Sequence, residues 1–448
     1  MTQTYTPPPP ATSATFGSLR RALVAVWAVM TLGAFAFVAF IGTNAPYADE
    51  WEFVPALLGD EPAGPWLWQQ HNEHRMLLPR VVVLTYFRLT HDFRTGMVLQ
   101  VAMLSALALV LMRLADKLRG KPHWADVFFP ISLLHIGHWE NFVMGYQVCF
   151  AMFAVFATAL VVVALRITRE NAFRSGAIAG ACLLLLALTG GSGLVVVPPV
   201  SAWIAFVAVS VWRGGSKGRA VLLLVLAVLP LAYLGVYFQD YHKPPLHPPL
   251  STDPIAVGSV TGEVLAMSFG VGLSGVWWAG AGGVLVVGVL TLAVLVPQWK
   301  EPRARLSIAG LIAVAAGVTG VALAIGLGRA GFPGGDEMGL WSRYSLLSWP
   351  LLAATYLVWV KLGRKWVPVA LCVASALAFP GNTGIGMKNG SVIAEHYGGI
   401  AAQAQSGLTA EQIVTGEPFT VSHQSGQPER VLRAIPLLRR DRIGIFAR

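Results

Sequence analysis

Long apolar runs separated by short polar segments dominate the chain. A run of about 17–25 apolar residues can cross a bilayer as a helix, because hydrocarbon offers backbone N–H and C=O groups no partner outside the segment. Runs of this kind lie at 22–42, 95–114, 125–140, 147–165, 176–193, 194–212, 220–238, 276–297, 306–327, 345–361 and 366–380. The pattern predicts an all-α polytopic membrane protein with about 11 spans. The third run is short and closes on His135, His138 and Glu140. The uncharged stretch 264–299 is longer than one span and leaves room for an interfacial or re-entrant helix.

The flanks complete the expected organisation. Residues 1–19, with the run Pro7 to Pro10, read as a disordered cytoplasmic tail. A cleavable signal peptide competes for residues 20–45, but the apolar run there is longer than an ordinary signal core of about 7–15 residues. Residues 20–380 then form the membrane domain, with a long first outer loop at 43–94, and 381–448 form a small extracytoplasmic segment.

Composition supports this class. Of 448 residues, 55% are hydrophobic and 12% charged, against about 25% charged in soluble proteins. The formal charge of +10 would suggest nucleic acid on a soluble chain; its distribution says otherwise. Eighteen of the 32 basic residues fall in six short clusters in alternate loops, from Arg20/Arg21 to Lys361/Arg364/Lys365. Only Asp116, Asp126, Glu170 and Glu301 share those segments. This is the positive-inside pattern, with a cytoplasmic N-terminus and an extracytoplasmic tail, and it removes the case for nucleic acid. Cys149, Cys182 and Cys372 all lie in apolar runs and build no disulfide framework.

Three outer segments carry candidate chemistry. The first, 43–94, is dense in acids, histidines, tryptophans and arginines. Loops this long are usually functional or disordered, and the aromatic content argues against disorder. Asp49 and Glu50 stand just beyond the first span, where a partly desolvated carboxylate suits general-base work; the competing reading is that one of them caps the next helix. His71, Glu73, His74 and Arg75 form the peptide HNEHR. Two histidines three apart on a helix could hold a metal, but the spacing fits no zinc-protease motif, and substrate or structural hydrogen bonding competes with it. Residues 76–89 read as a surface helix whose apolar face is broken by Arg80 and Arg88.

The second segment holds His138, Glu140, Asn141 and, beyond them, Gln147, polar groups at a helix end that face either an aqueous cavity or an interfacial belt around Trp139 and Tyr146. The third, 328–346, has Arg329 and Arg343 bracketing a Gly-rich loop, with Tyr344 following. Such arginines either snorkel or clamp a lipid phosphate bidentately. Asp336 and Glu337 in that loop read as solvated.

These residues together resemble the GT-C superfamily of integral-membrane glycosyltransferases, which includes the protein O-mannosyltransferase-like, lipid A aminoarabinose and arabinofuranosyl transferases. The resemblance spans roughly residues 20–380 and is carried by YADEW (47–51), HNEHRMLLPR (71–80), WENFVMGYQ (139–147) and SRY (342–344). It implies a GT-C-like bundle in a bacterial inner membrane with its active site outside. It also implies transfer of a sugar from a polyprenyl-phosphate donor to a hydroxyl of a lipid, glycan or protein acceptor, with inversion. Asp49 would be the base and Glu50 its acidic neighbour. Arg343, then Arg329, Arg75 and Arg80, would stabilise the leaving phosphate. His71, Glu73, His74, Glu140, Asn141, Gln147 and Tyr344 would line the substrate site. No cofactor is required by this scheme, although it would accommodate a divalent metal. The alternatives are a transporter or flippase of lipid-linked sugars and a polymerase or ligase of lipid-linked glycans.

Overall fold

The structure is a computed structural model that describes residues 13–245, 247–333, 337–416 and 428–447. Among the described residues it is built from helices, with one isolated antiparallel bridge between His71 and His74 and no strand. Eight helices among the described residues are long and apolar enough to cross a membrane, so the chain is an all-α polytopic membrane protein. Helix α1 (Ser13–Ile41) already begins within the segment expected to be disordered; residues 1–12 of that segment lie outside the described residues.

Between α1 and α5 (Arg94–Arg119) the expected long loop folds into four short pieces. They are a 3-10 turn over Ala48–Phe53, α2 (Val54–Leu58), α3 (Ala63–Trp68) and α4 (Leu77–Thr90). After α5 the third apolar run is a broken path rather than a helix: α6 (Phe128–Leu133), a 3-10 turn, α7 (Trp139–Val143) and a second 3-10 turn at Gly145–Gln147. Helices α8 (Val148–Arg166), α9 (Ala172–Ala187), α10 (Gly191–Arg213) and α11 (Lys217–Tyr237) follow. Helix α12 (Pro254–Ala266) ends within the long uncharged stretch, which continues through 3-10 turns over Met267–Phe269 and Val271–Val276 into α13 (Trp277–Leu295). The bundle closes with α14 (Arg305–Arg329), α15 (Ser345–Lys361) and α16 (Trp366–Gln405), and the chain ends in α17 (Ala410–Gly416) and α18 (Pro428–Arg440).

The solvent the bundle expects is legible on its surface. Val29 and Leu32 are 67% exposed and Leu377 76%, with further large apolar side chains exposed along α11 and α13. Contiguous apolar surface of this extent is stable in lipid and aggregates in water. Inside the bundle, Trp203 donates its indole N–H to the Leu306 carbonyl (2.9 Å) and Trp349 to the Ser132 hydroxyl (2.9 Å).

Helix α16 decides the shape of one end. Its 40 residues reach about 60 Å at 1.5 Å per residue, twice a hydrocarbon core of about 30 Å. The domain boundary expected at 380/381 therefore falls inside one continuous helix. Its last turns bury Ile393, Tyr397 and Ile400 in a second hydrophobic cluster with Tyr47, Trp51, Phe53, Trp66, Ile435, Leu438 and Phe446. The cap so formed joins the first loop, the end of α16 and the C-terminal helices.

Candidate functional site

The 3-10 turn at Ala48–Phe53 sorts its acids by geometry. With three residues per turn, positions i and i+3 eclipse, so Asp49 and Glu52 share one face and Glu50 and Phe53 the other. Glu50, 1% exposed, points inward. Its two oxygens accept from the Tyr47 N–H (3.0 Å) and the Tyr146 N–H (2.8 Å). The first of these is the helix-capping contact. Glu50 therefore caps the turn and ties it to the segment before α8. Gly145 permits the approach, since a Cβ there would meet the Phe93 carbonyl at 2.9 Å and Glu50 Oε1 at 3.1 Å. Burial pushes the Glu50 carboxyl up to about 8 against the pull of the backbone N–H groups.

Asp49 faces His71. The side chain of Asp49 is 29% exposed, and its Oδ2 lies 3.3 Å from His71 Nε2. The other ring nitrogen, Nδ1, is 3.0 Å from Glu52 Oε2, and Glu52 in turn meets Arg430 of α18 at 2.8 Å. Burial would lower the His71 pKa, but Asp49 and Glu52 override it and raise it to about 9. His71 is thus charged at neutral pH, hydrogen-bonded to Glu52 through Nδ1 and ion-paired with Asp49 on the Nε2 side. Burial alone would raise Asp49; His71, Arg343 and Arg430 outweigh it and hold the carboxyl below its usual range. Ala48 and Asn72, beside Asp49 and His71, adopt positive φ (51° and 47°), a strained conformation of the kind that concentrates at functional sites.

Arg343 arrives from the opposite side. Its Nη1 pairs with Glu140 Oε1 at 2.9 Å, its backbone N–H donates to Glu140 Oε2 (3.3 Å), and its guanidinium lies over Trp341, 4.1 Å from the ring centroid. The ring of Tyr344 is the next neighbour at 5.6 Å. Asn141 Nδ2 donates to the Ser342 carbonyl (3.3 Å) and the Glu140 N–H to the Ser342 hydroxyl (3.2 Å), so α7 and the Ser342–Tyr344 turn form one unit. Gln147 is buried in the adjoining turn. Asp49, His71, Glu140, Asn141, Arg343 and Tyr344 therefore converge.

Others do not join them. HNEH is a tight turn rather than a helix, closed by His71 N–H to the His74 carbonyl (2.7 Å) and His74 N–H to the His71 carbonyl (2.8 Å). Glu73 ion-pairs with Arg329 and stands 3.3 Å from His247 and 3.9 Å from His74. Burial raises its carboxyl, but His74, Arg329 and His247 together hold it below its ordinary value. Arg329 thus has a carboxylate partner, as Arg343 has in Glu140. Arg75 and Arg80, expected at the donor phosphate, are each engaged by backbone carbonyls. Arg75 spends its donors on the carbonyls of Tyr237 (3.0 Å), Trp68 (2.9 Å) and Gln239 (2.8 Å). Arg80, fully buried, donates to the carbonyls of Trp66 and Gln69 between the rings of Phe53 and Trp66. Among the described residues no three His, Cys, Asp or Glu side chains form a metal-binding group. Asp336 lies outside the described residues, while Glu337 donates its backbone N–H to Glu263 (3.2 Å).

Sequence reasoning missed Glu52, Arg430, Glu263 and Asn382. The signal for Glu52 was present as an acid three residues after Asp49 in ADEWEF. Asn382, 1% exposed within α16, accepts from Gly272 N–H (2.7 Å) and donates to the Phe269 carbonyl (2.9 Å), which seats the α12–α13 connection. Compared with protein-family models, curated proteins and solved structures, the chain matches none.

Proposed function

We propose that the chain is a GT-C-type glycosyltransferase that moves a sugar from a polyprenyl phosphate to an acceptor hydroxyl, with Asp49 as general base. The observation that carries this reading is that Asp49, held by His71, and Arg343, held by Glu140, come from distant segments into electrostatic reach of each other. Asp49 is ionised and fixed through Oδ2 while its Oδ1 has no hydrogen-bond partner among the described residues, and Arg343 lies close enough to lower its carboxyl. The acceptor hydroxyl gives its proton to Asp49 Oδ1 as its oxygen attacks the anomeric carbon. The anomeric C–O bond to phosphate breaks on the opposite face, and the charge that develops on the phosphate is met by Arg343. Holding Asp49 against an imidazolium costs basicity and secures ionisation and orientation.

The same proposal sets eleven crossings in a bacterial inner membrane: the eight long helices, α9, α15 and the broken path from Trp124 to Gln147. The positive clusters lie at the end of Arg119 and Lys361 and the cap at the other, so the positive-inside rule sends the N-terminus to the cytoplasm and Asp49 outside. In proteoliposomes given a panel of polyprenyl-phosphate sugars, Asp49→Asn should lower transfer by about 10²–10⁴-fold. Full activity in that variant removes Asp49 from the role of base. Arg343→Lys, which cannot present a planar fork, should raise the donor concentration needed more than the acceptor concentration.

A further inference from the structure

We propose that Arg430, on the C-terminal helix α18, is a positioning residue that holds Asp49 in place through Glu52 and His71, so that the site is complete only with α18 docked. The chain of contacts is continuous: Arg430 to Glu52 at 2.8 Å, Glu52 to His71 at 3.0 Å and His71 to Asp49 at 3.3 Å. It joins three segments, the 3-10 turn, the HNEH turn and α18, that lie far apart in sequence. Glu52 Oε2 serves both His71 and Arg430, so Arg430 offsets the charge of Glu52 and leaves His71 free to pair with Asp49.

Docking of α18 does not depend on this contact alone. Val431, Ala434, Ile435 and Leu438 are buried against the first loop, and Arg433–Glu61 (2.7 Å) and Arg440–Asp60 (2.8 Å) add ion pairs away from the relay. Those outer pairs supply controls. A merely structural role for Arg430 would be shared by Arg433, whereas a positioning role is confined to Arg430.

The inference rests on Asp49 as the base, but it can be tested without substrate. The full chain in detergent is labelled with a water-soluble carbodiimide and an amine, which couple to protonated carboxyls, and label at Asp49 is read by peptide mass spectrometry across pH. Asp49 faces His71, Arg343 and Arg430, with Glu50, His74, Tyr146 and Cys149 also acting on it or being acted on. Loss of the Arg430 charge should move the labelling midpoint upward, giving about threefold more label on the alkaline side of the midpoint, where little of Asp49 is protonated. Arg430→Lys should restore it, and Arg433→Ala should leave it in place. Hydrogen exchange over residues 428–440 reports docking. If Arg430→Ala frees the helix, Arg430→Gln, which keeps a hydrogen-bonding side chain without the charge, gives the deciding midpoint. An unmoved midpoint with α18 docked, or an equal shift in Arg433→Ala, overturns the proposal. Transfer lost in Asp49→Asn with an unmoved midpoint in Arg430→Gln sinks the relay alone; transfer retained in Asp49→Asn sinks the base assignment alone.

Discussion

The bundle and the cap are held together by different physics. The bundle is apolar on its outside and close-packed within, and its buried charged pair is fully hydrogen-bonded. Asp126, fully buried, accepts from both terminal nitrogens of Arg119 (2.9 Å each) and from the Tyr356 hydroxyl (2.7 Å). The cap has its own aromatic core, but its segments are keyed by ion pairs spread across its surface. Acids of the first loop meet arginines of α18: Glu52 with Arg430, Glu61 with Arg433 and Asp60 with Arg440. Without water inside it, the bundle cannot tolerate an unpaired charge, whereas the wet cap can exchange partners at low cost.

The largest expected effect tests the bundle. Asp126→Ala strands Arg119 in a nearly dry setting and should cost about 3–5 kcal/mol, read as a fall in the thermal unfolding midpoint in detergent. Gly310→Leu comes next. Even a Cβ at that position would stand 2.5 Å from the Trp203 ring and 2.8 Å from Ala164, so overpacking should cost about 1–3 kcal/mol in the same measurement. A drop no larger than that of a cap variant would erase the contrast.

Raising the pH should loosen the cap while sparing the bundle. His71 has a raised pKa of about 9, so its contribution is complete below about 6.5, the ordinary histidine value, and is lost as pH rises through 9. Glu50, raised to about 8, acts in the same direction, because its buried carboxyl is penalised once ionised. Hydroxyl-radical footprinting between pH 6 and 10 should show rising modification at residues 47–75 and none at Trp203. The smallest effect is Arg433→Ala, whose ion pair is largely solvated and should leave the unfolding midpoint unchanged within error.

The sequence alone located the apolar runs closely, because hydrophobic length is a local and additive signal. Helices α1, α5, α8, α10, α11 and α14 lie where the runs predict, and so does the division of 264–299 into more than one element. It was less informative where the backbone breaks. The run at 125–140 looked like one short helix, and the hydrogen bonds of His138 to Ser345 (2.7 Å) and to the Ser132 carbonyl (3.0 Å) show what replaces regular helix there. The extension of α16 past residue 380 was hidden for a related reason. Its second half is polar enough to read as a tail, and only packing against the cap makes it helix.

The same division applies to the candidate site. Residue type and position drew attention to Asp49, Glu140 and Arg343. Their separation from Arg75, Arg80 and Glu50 could not be read from the chain, since a charged residue near a span end has the same local signature whether it binds ligand or backbone. The six arginines of the last 19 residues read as surface charge for headgroups or glycan; the structure gives Arg430, Arg433 and Arg440 carboxylate partners in the first loop instead. Class and span pattern follow from the free energy of placing each segment in lipid, a sum over neighbours in sequence. The partner of each charge follows from three-dimensional packing, which brings residue 430 to residue 52 and residue 343 to residue 49, and no local sum contains that information.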